Sequence, residues 1–276
     1  MKTLQFSSDA VPVLGQGTWG MGEDARRKQA EVASLRLGLD LGMRLIDTAE
    51  MYGEGGAEEV VGEVMAGRRE EVFLVSKVYP HNATRRGAIA ACERSLKRLG
   101  TDRLDLYLLH WRGNVPLAET LAAFDSLVST GKIRHWGVSN FDPEDLQALR
   151  VLEGGQAVAA NQVLYNLSRR GPEWDLLPRC REHEVMVIAY SPIEQGRILN
   201  EPTLKAVAMR QEATPAQVAL AWLLEQEGVV SIPKATQLEH VRENRAAADL
   251  QLTAADRVEL DRAFPAPRGP VPLQML

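Results

Sequence analysis

Eight short apolar runs, each followed by a segment of helical character, limit the fold more than any other feature of this chain. The runs fall at residues 15–20, 43–46, 72–75, 104–109, 133–138, 159–163, 185–189 and 228–232. They are continuous rather than alternating, as strands buried on both faces of a parallel sheet are. Strand–helix alternation suits either an open doubly wound sheet or a closed barrel. The count of eight favours closure. So do the reactive side chains at the C-terminal end of nearly every run: a barrel collects them around one rim, whereas an open sheet gathers them at one switch point. No G-x-G-x-x-G follows any run; Gly15-Gln-Gly17 comes nearest, but it lies within a run and lacks the third glycine. The expected fold is α/β, a (β/α)8 barrel formed by residues 1–276 as one domain. Residues 1–14, in short alternating pieces around Pro12, are expected to form a small hairpin outside the main sheet.

The helices have readable ends. Residues 24–41 read as a helix with Ala30, Ala33, Leu37 and Leu41 on one face, stopped by Gly42. Further helices are expected at 56–65, at 83–99 before Gly100, and at 117–130 before Gly131. Asp142-Pro143 offers an N-cap and a proline at the first helical position. Residues 172–183 follow. Thr214-Pro-Ala-Gln217 and Thr236-Gln-Leu-Glu239 both read as capping boxes, the first opening a helix to about residue 227. A short helix from Leu252 leads into a proline-rich tail from Pro265.

Composition narrows the partners. Hydrophobic residues are 45% and charged residues 25%, ordinary for a globular chain, and the net charge is -5. The Arg26-Arg27, Arg68-Arg69, Arg85-Arg86 and Arg169-Arg170 pairs are scattered and read as solvated faces, so no nucleic-acid partner is expected. Cys92 and Cys180 fit neither a disulfide framework nor a zinc spacing, which points to a reducing cytosol. No apolar run approaches the roughly 18 residues of a membrane span, and the first residues lack a signal peptide's apolar core. A cytoplasmic monomer is expected.

The chemistry gathers at run ends. Ile133–Phe141 reads as a strand running into Ser139-Asn140 at a strand-to-helix corner. Two such side chains suit an amide ligand, or simply help cap the helix. Asp47, Tyr52, Lys77 and His110 end three successive runs. Each has a bland reading: a cap, rim packing, one lysine of many, a satisfied core histidine. Together they make a coherent acid. A nearby ammonium lowers a phenol's pKa, Asp47 balances a buried lysine, and a histidine can orient a carbonyl oxygen.

Four stretches, Arg44-Leu-Ile-Asp47-Thr-Ala-Glu-Met-Tyr52-Gly, Leu104-Asp-Leu-Tyr-Leu-Leu-His110-Trp, Gly137-Val-Ser-Asn140-Phe and Ile232-Pro-Lys234-Ala, occur in this order. With them the chain resembles the aldo-keto reductases over essentially its whole length. It is most similar to short bacterial members such as methylglyoxal and diketogluconate reductases. The resemblance implies NAD(P)H-dependent carbonyl reduction and a tetrad of Asp47, Tyr52, Lys77 and His110, with Tyr52 as proton donor. It implies that Ser139, Asn140 and Gln162 hold the carboxamide and that Tyr190 stacks on the nicotinamide. Gly17, Thr18, Trp19 and Asp47 are expected beside the cofactor. Ser191, Pro192, Ile193, Gln195 and Gly196 match the loop over the pyrophosphate, with Glu194 where glycine is more usual. Ile232, Pro233, Lys234, Ala235 and Thr236 match the 2′-phosphate segment, with Lys234 on the phosphate, and Glu243 and Asn244 match the adenine positions. Ala235 and His240 stand where many members have serine and arginine. NADPH is therefore expected, with a weakened preference over NADH.

Trp19, Met51, Tyr52, Tyr79, His110 and Trp111 are expected to line the substrate mouth, with the tail Val271–Leu276 over it. The short segment Arg112–Pro116 leaves an open rim suited to small or polar aldehydes. No second histidine stands in an evident ligand position, so no metal is expected, which disfavours a metal-dependent barrel hydrolase. A cofactor-sensing regulatory module of the same fold is the competing reading.

Overall fold

The structure, a computed structural model, describes residues 1–6 and 9–276. Ser7 and Ser8, inside the expected hairpin, lie outside the described residues. The hairpin pairs β1 (Thr3–Phe6) antiparallel with β2 (Asp9–Pro12). Eight parallel strands follow: β3 (Gln16–Gly17), β4 (Leu45–Asp47), β5 (Phe73–Val78), β6 (Leu104–Leu109), β7 (Ile133–Ser139), β8 (Ala160–Leu164), β9 (Met186–Tyr190) and β10 (Val229–Ser231). Each pairs with its sequence neighbour. The ring closes where Gly15 N donates to Ser231 O at 2.8 Å and Ser231 N to Val13 O at 2.8 Å. Helices α1 (Lys28–Asp40), α2 (Gly56–Met65), α3 (Arg85–Leu99), α4 (Leu117–Ser129), α5 (Pro143–Arg150) and α6 (Leu176–Glu182) follow β3 to β8 in turn. After β9 come α7 (Pro202–Arg210) and α8 (Pro215–Leu224); after β10 come α9 (Leu238–Ala247) and α10 (Ala254–Ala263).

The two-residue period of a strand sorts its side chains. Leu45, Val75, Leu106, Leu108, Ala160, Ile188 and Val230 form the barrel interior, joined by Phe6 and Val11 of the hairpin. The hairpin thus plugs the barrel at the N-terminal ends of the strands, Phe6 meeting Phe73 edge-on at 5.6 Å. Ile46, Leu74, Tyr107, Val163, Val187 and Val229 pack outward with the helices. Two residues beyond the interior layer, the same parity turns Asp47, Lys77, Gln162 and Tyr190 inward at the C-terminal rim. Gly137 sits where a Cβ would lie 2.4 Å from Ala160 O, so only glycine lets β7 and β8 approach there.

Local caps behave as their sequences dictate. Asp142 accepts from Asp145 N with Pro143 at the first position, and Thr214 and Gln217 form a reciprocal box. The second expected box does not form: α9 begins at Leu238, capped at Gln237 without a side-chain bond, and Thr253 with Asp256 forms a box instead. α1 starts at residue 28 rather than 24, because residues 25–27 form a turn. Half of its expected face is wrong: Leu37 and Leu41 are half-buried against the cluster around Leu14 and Met43, but Ala30 and Ala33 are exposed, and Val32, Leu35 and Leu39 face inward. Alanines carry too little apolar area to orient a helix against three larger side chains. Gln16, donating to Leu35 O and Met43 O, fixes that face from below, with Gly38 against it. The first strand is shorter than expected, ending at Gly17, and α6 begins at Leu176 after a 3-10 turn at Gly171–Glu173. α7 was not expected; Glu201, accepting from Leu204 N before Pro202, is its local signal. The arginine pairs are not all solvated: Arg69 reaches buried Asp105 at 2.8 Å and Arg169 reaches buried Glu194 at 2.7 Å. Cys92 and Cys180 are buried in α3 and α6, and burial pushes both thiols up to about 12.

Candidate active site

β4 and β5 place Asp47 and Lys77 side by side. Lys77 is fully buried, and its Nζ spends its three donors on Asp47 Oδ2 at 2.8 Å, Thr48 O at 2.8 Å and Tyr52 Oη at 3.2 Å. Tyr52 comes from a tight turn, Tyr52–Gly55, that follows β4 and opens α2. Asp47 is held from both ends. Gln162 Nε2 donates to its Oδ1 at 2.7 Å, and Thr18 Oγ1 donates to its backbone carbonyl at 2.9 Å. Thr18 is fully buried, so its hydroxyl supports Asp47 from behind. The His110 ring stands edge-on to Tyr52 at 5.8 Å.

Electrostatics assign the protons. Burial alone would push Lys77 down, but Asp47 and Tyr52 outweigh it and hold the ammonium above the ordinary lysine value. Burial also raises Tyr52 above the ordinary phenol value, and Lys77 pulls it down only in part. This corrects the expectation of a lowered phenol: desolvation of the phenolate wins over one ammonium at 3.2 Å. Burial, with Lys77 adding to it, pushes His110 down to about 2, so the ring is neutral, and its Nδ1 is buried without a partner among the described residues. The site is thus a neutral phenol between an ammonium and a neutral imidazole.

The corner after β7 supplies amide chemistry. Asn140 is left-handed at φ 59° and donates to His110 O and Ser139 Oγ, both at 3.2 Å. Its Oδ1 accepts from Tyr190 Oη at 3.0 Å, and Ser139 Oγ donates to Gln162 O at 2.9 Å. Three carboxamide candidates and the aromatic candidate therefore meet in one bonded cluster. Burial pushes the Tyr190 phenol up to about 12, with the nearby Leu276 backbone opposing the shift. The aromatic mouth is continuous: His110 meets Trp111 at 5.0 Å, Trp111 meets Tyr79 at 5.9 Å, and Tyr79 meets His81 at 4.6 Å. Trp19 stands apart, 57% exposed.

The cofactor segments differ in how they are held. Pro192 and Glu194 are buried; Ser191, Glu194, Gln195 and Gly196 all have positive φ. Arg169, Arg197 and Asn166 hold the Glu194 carboxylate. Lys234 and His240 are exposed and make no hydrogen bond or ion pair with the described residues. Partial burial and the like charge of Arg27 press Lys234 below the ordinary lysine value. Ala235 and Asn244 line a small cavity with Gly17 and Pro233.

The model of the aldo/keto reductase family matches residues 13–264. The chain belongs to the aldo/keto reductase family. As a member it is an oxidoreductase. It is 52% identical to the methylglyoxal reductase YeaE of Escherichia coli, over 100% of this chain and 99% of that protein. Its fold matches an aldo/keto reductase from Klebsiella pneumoniae solved with NADP and acetate, with a TM-score of 0.98 and 50% identity over 100% and 99% of the two chains. The thermostable aldo-keto reductase Tm1743, solved with the inhibitor epalrestat, matches with a TM-score of 0.90 and 40% identity over 95% of this chain and 100% of that one.

Several supports of this reductase's site escaped the sequence. Glu50 accepts from Tyr79 N at 2.9 Å and Asn82 Nδ2 at 3.0 Å, tying the Tyr52 turn to the mouth. Asn161 donates to Phe141 O at 2.8 Å and sets the β7 corner. The carbonyl of Thr48 on Lys77 is a backbone contact, invisible in side-chain patterns. Glu50 and Asn161 did offer a signal, as polar residues within stretches already singled out. Among the described residues no three His, Cys, Asp or Glu side chains converge as a metal site, and no helix is long and apolar enough to cross a membrane.

Proposed function

We propose that this chain reduces small aldehydes and ketones to alcohols with NADPH, Tyr52 supplying the proton. The carrying observation is the buried Asp47–Lys77–Tyr52 chain beside a neutral His110. The residues fit the dinucleotide. Ser139, Asn140 and Gln162 offer amide donors and acceptors at one rim, Tyr190 a half-buried aromatic face, and Lys234 a cation with no internal partner. When bound, NADPH supplies the hydride. His110 orients the carbonyl oxygen toward Tyr52, whose raised pKa keeps its proton at neutral pH until the oxygen becomes basic. Lys77 then stabilises the phenolate left behind, and Asp47 keeps Lys77 charged and in place. The aromatic mouth and short rim suit small carbonyls, and the name of the E. coli relative supports the same substrate class. A panel of aldehydes and ketones, methylglyoxal included, followed by NADPH absorbance and repeated with NADH, tests this. Tight NADPH binding without turnover of any carbonyl would instead establish a sensing module.

A pH profile tests the proton assignment. Tyr52 and Lys77 titrate above their ordinary values and His110 at about 2, so none of these three changes charge between about pH 5 and 9. The kcat for reduction is expected to stay flat over that range and to fall only as Tyr52 loses its proton in alkali. Alcohol oxidation, which needs the phenolate, is expected to rise with pH over the same alkaline range. A step in kcat near the ordinary histidine value of about 6.5 would show that the His110 ring is charged at the site.

A further inference from the structure

The loop that matches the pyrophosphate segment is held by one arginine that also holds the C-terminal tail. Arg169 stands on a tight turn just after β8, its N donating to Asn166 O at 2.9 Å. Its Nε and Nη2 donate to Glu194 Oε1 at 3.1 and 2.7 Å, and its Nη1 donates to Gln274 Oε1 at 3.0 Å. The guanidinium fork therefore joins two segments that lie far apart in sequence, around Glu194 and Gln274.

Glu194 is the anchor on the loop side. It is 3% exposed, at φ 51°, and followed by two more left-handed residues, Gln195 at 55° and Gly196 at 87°. Left-handed backbone is costly for a non-glycine residue, so this loop holds its shape only because its contacts over-determine it. Those contacts converge on the Glu194 carboxylate: Arg169, Arg197 Nη2 at 3.0 Å, and Asn166 Nδ2 at 2.9 Å, which also reaches Ser191 O at 2.9 Å. On the tail side, Pro265, Pro267, Pro270 and Pro272 stiffen the backbone before Gln274. Two residues on, the Leu276 backbone lies near the Tyr190 phenol and opposes the upward push of burial on it. Arg169 thereby fastens loop and tail to each other beside the rim position given to the nicotinamide.

We propose that Arg169 is a positioning residue that couples the C-terminal tail to the Ser191–Arg197 loop, so that the two release together and set the rate at which the dinucleotide leaves. The inference rests on NADPH being the cofactor. It predicts an effect on both NADPH and NADH, because the latch does not touch the 2′-phosphate candidates.

The test is dissociation of NADPH and of NADH from the full chain without substrate, followed by stopped-flow nicotinamide fluorescence. Arg169→Ala is expected to release both about tenfold faster, the scale of one hydrogen bond to a charged group. Gln274→Ala is expected to release them faster by a smaller factor. Glu194→Gly removes the anchor, and adding Arg169→Ala to it is expected to change nothing further, the mark of one coupled unit. Arg169→Lys keeps the charge but cannot span both partners, and serves if the alanine variant fails to fold. If wild type does not bind NADPH, the proposed function itself falls. If wild type binds and every variant releases at the wild-type rate, only the latch falls. If Arg169→Ala accelerates release while Gln274→Ala does not, the coupling to the tail is overturned.

Discussion

Tyr52→Phe is expected to lower kcat for carbonyl reduction by about 10² or more, the scale of a positioned general acid, while leaving NADPH affinity little changed. The substitution keeps the ring, and with it the edge contact to His110 and the packing over Lys77, whose Nζ lies 4.8 Å from the ring centroid. It removes only the hydroxyl, and Lys77 retains Asp47 and Thr48 as partners. Fold and cofactor site should survive, so the loss belongs to the chemical step. Tryptophan fluorescence titration with NADPH, beside steady-state rates, separates the two. A Phe variant that keeps near wild-type kcat would move the proton donor elsewhere, and among the described residues no other hydroxyl bonds Lys77.

Parts of this molecule were legible in the sequence because their causes are local. Asp142-Pro143 and Thr214-Pro-Ala-Gln217 cap their helices through bonds spanning three residues, which spacing reveals directly. The continuous apolar runs announced buried parallel strands, and their ends carried Asp47, Lys77 and His110 to one rim. Other parts depend on what the folded chain brings near. Thr236 and Glu239 have the spacing of a box, yet the backbone after β10 starts α9 two residues beyond Thr236, at Leu238. The inward face of α1 is chosen by Gln16 and Gly38 meeting across elements. The direction of the Tyr52 shift balances burial against one ammonium, and the degree of burial is a property of the whole barrel mouth. Arg169-Arg170 looked like solvated charge because three of its partners, Glu194, Gln274 and Asp261, lie far away in the sequence; only Glu173 is local.

Lys77→Met separates stability from chemistry when read against a second variant. Removing the ammonium leaves Asp47, 2% exposed, with Gln162 as the one remaining hydrogen-bond partner of its carboxylate among the described residues. Breaking a buried ion pair from one side costs about 3–5 kcal/mol, so the thermal midpoint should fall on the order of 10 °C. Activity should fall too, since the phenolate formed at Tyr52 loses the cation bonded to it. The double variant Asp47→Asn/Lys77→Met takes away both charges. The asparagine oxygen still accepts from Gln162 Nε2, and no unpaired charge remains in the barrel. Its thermal midpoint is expected to recover most of the loss while its kcat stays as low as that of Lys77→Met. Thermal unfolding and steady-state rates on the three proteins decide between the possibilities. If the midpoint does not recover, Asp47 and Lys77 are coupled through packing rather than charge. If kcat recovers with the midpoint, the lysine only maintains the fold and the phenol needs no cation to release its proton.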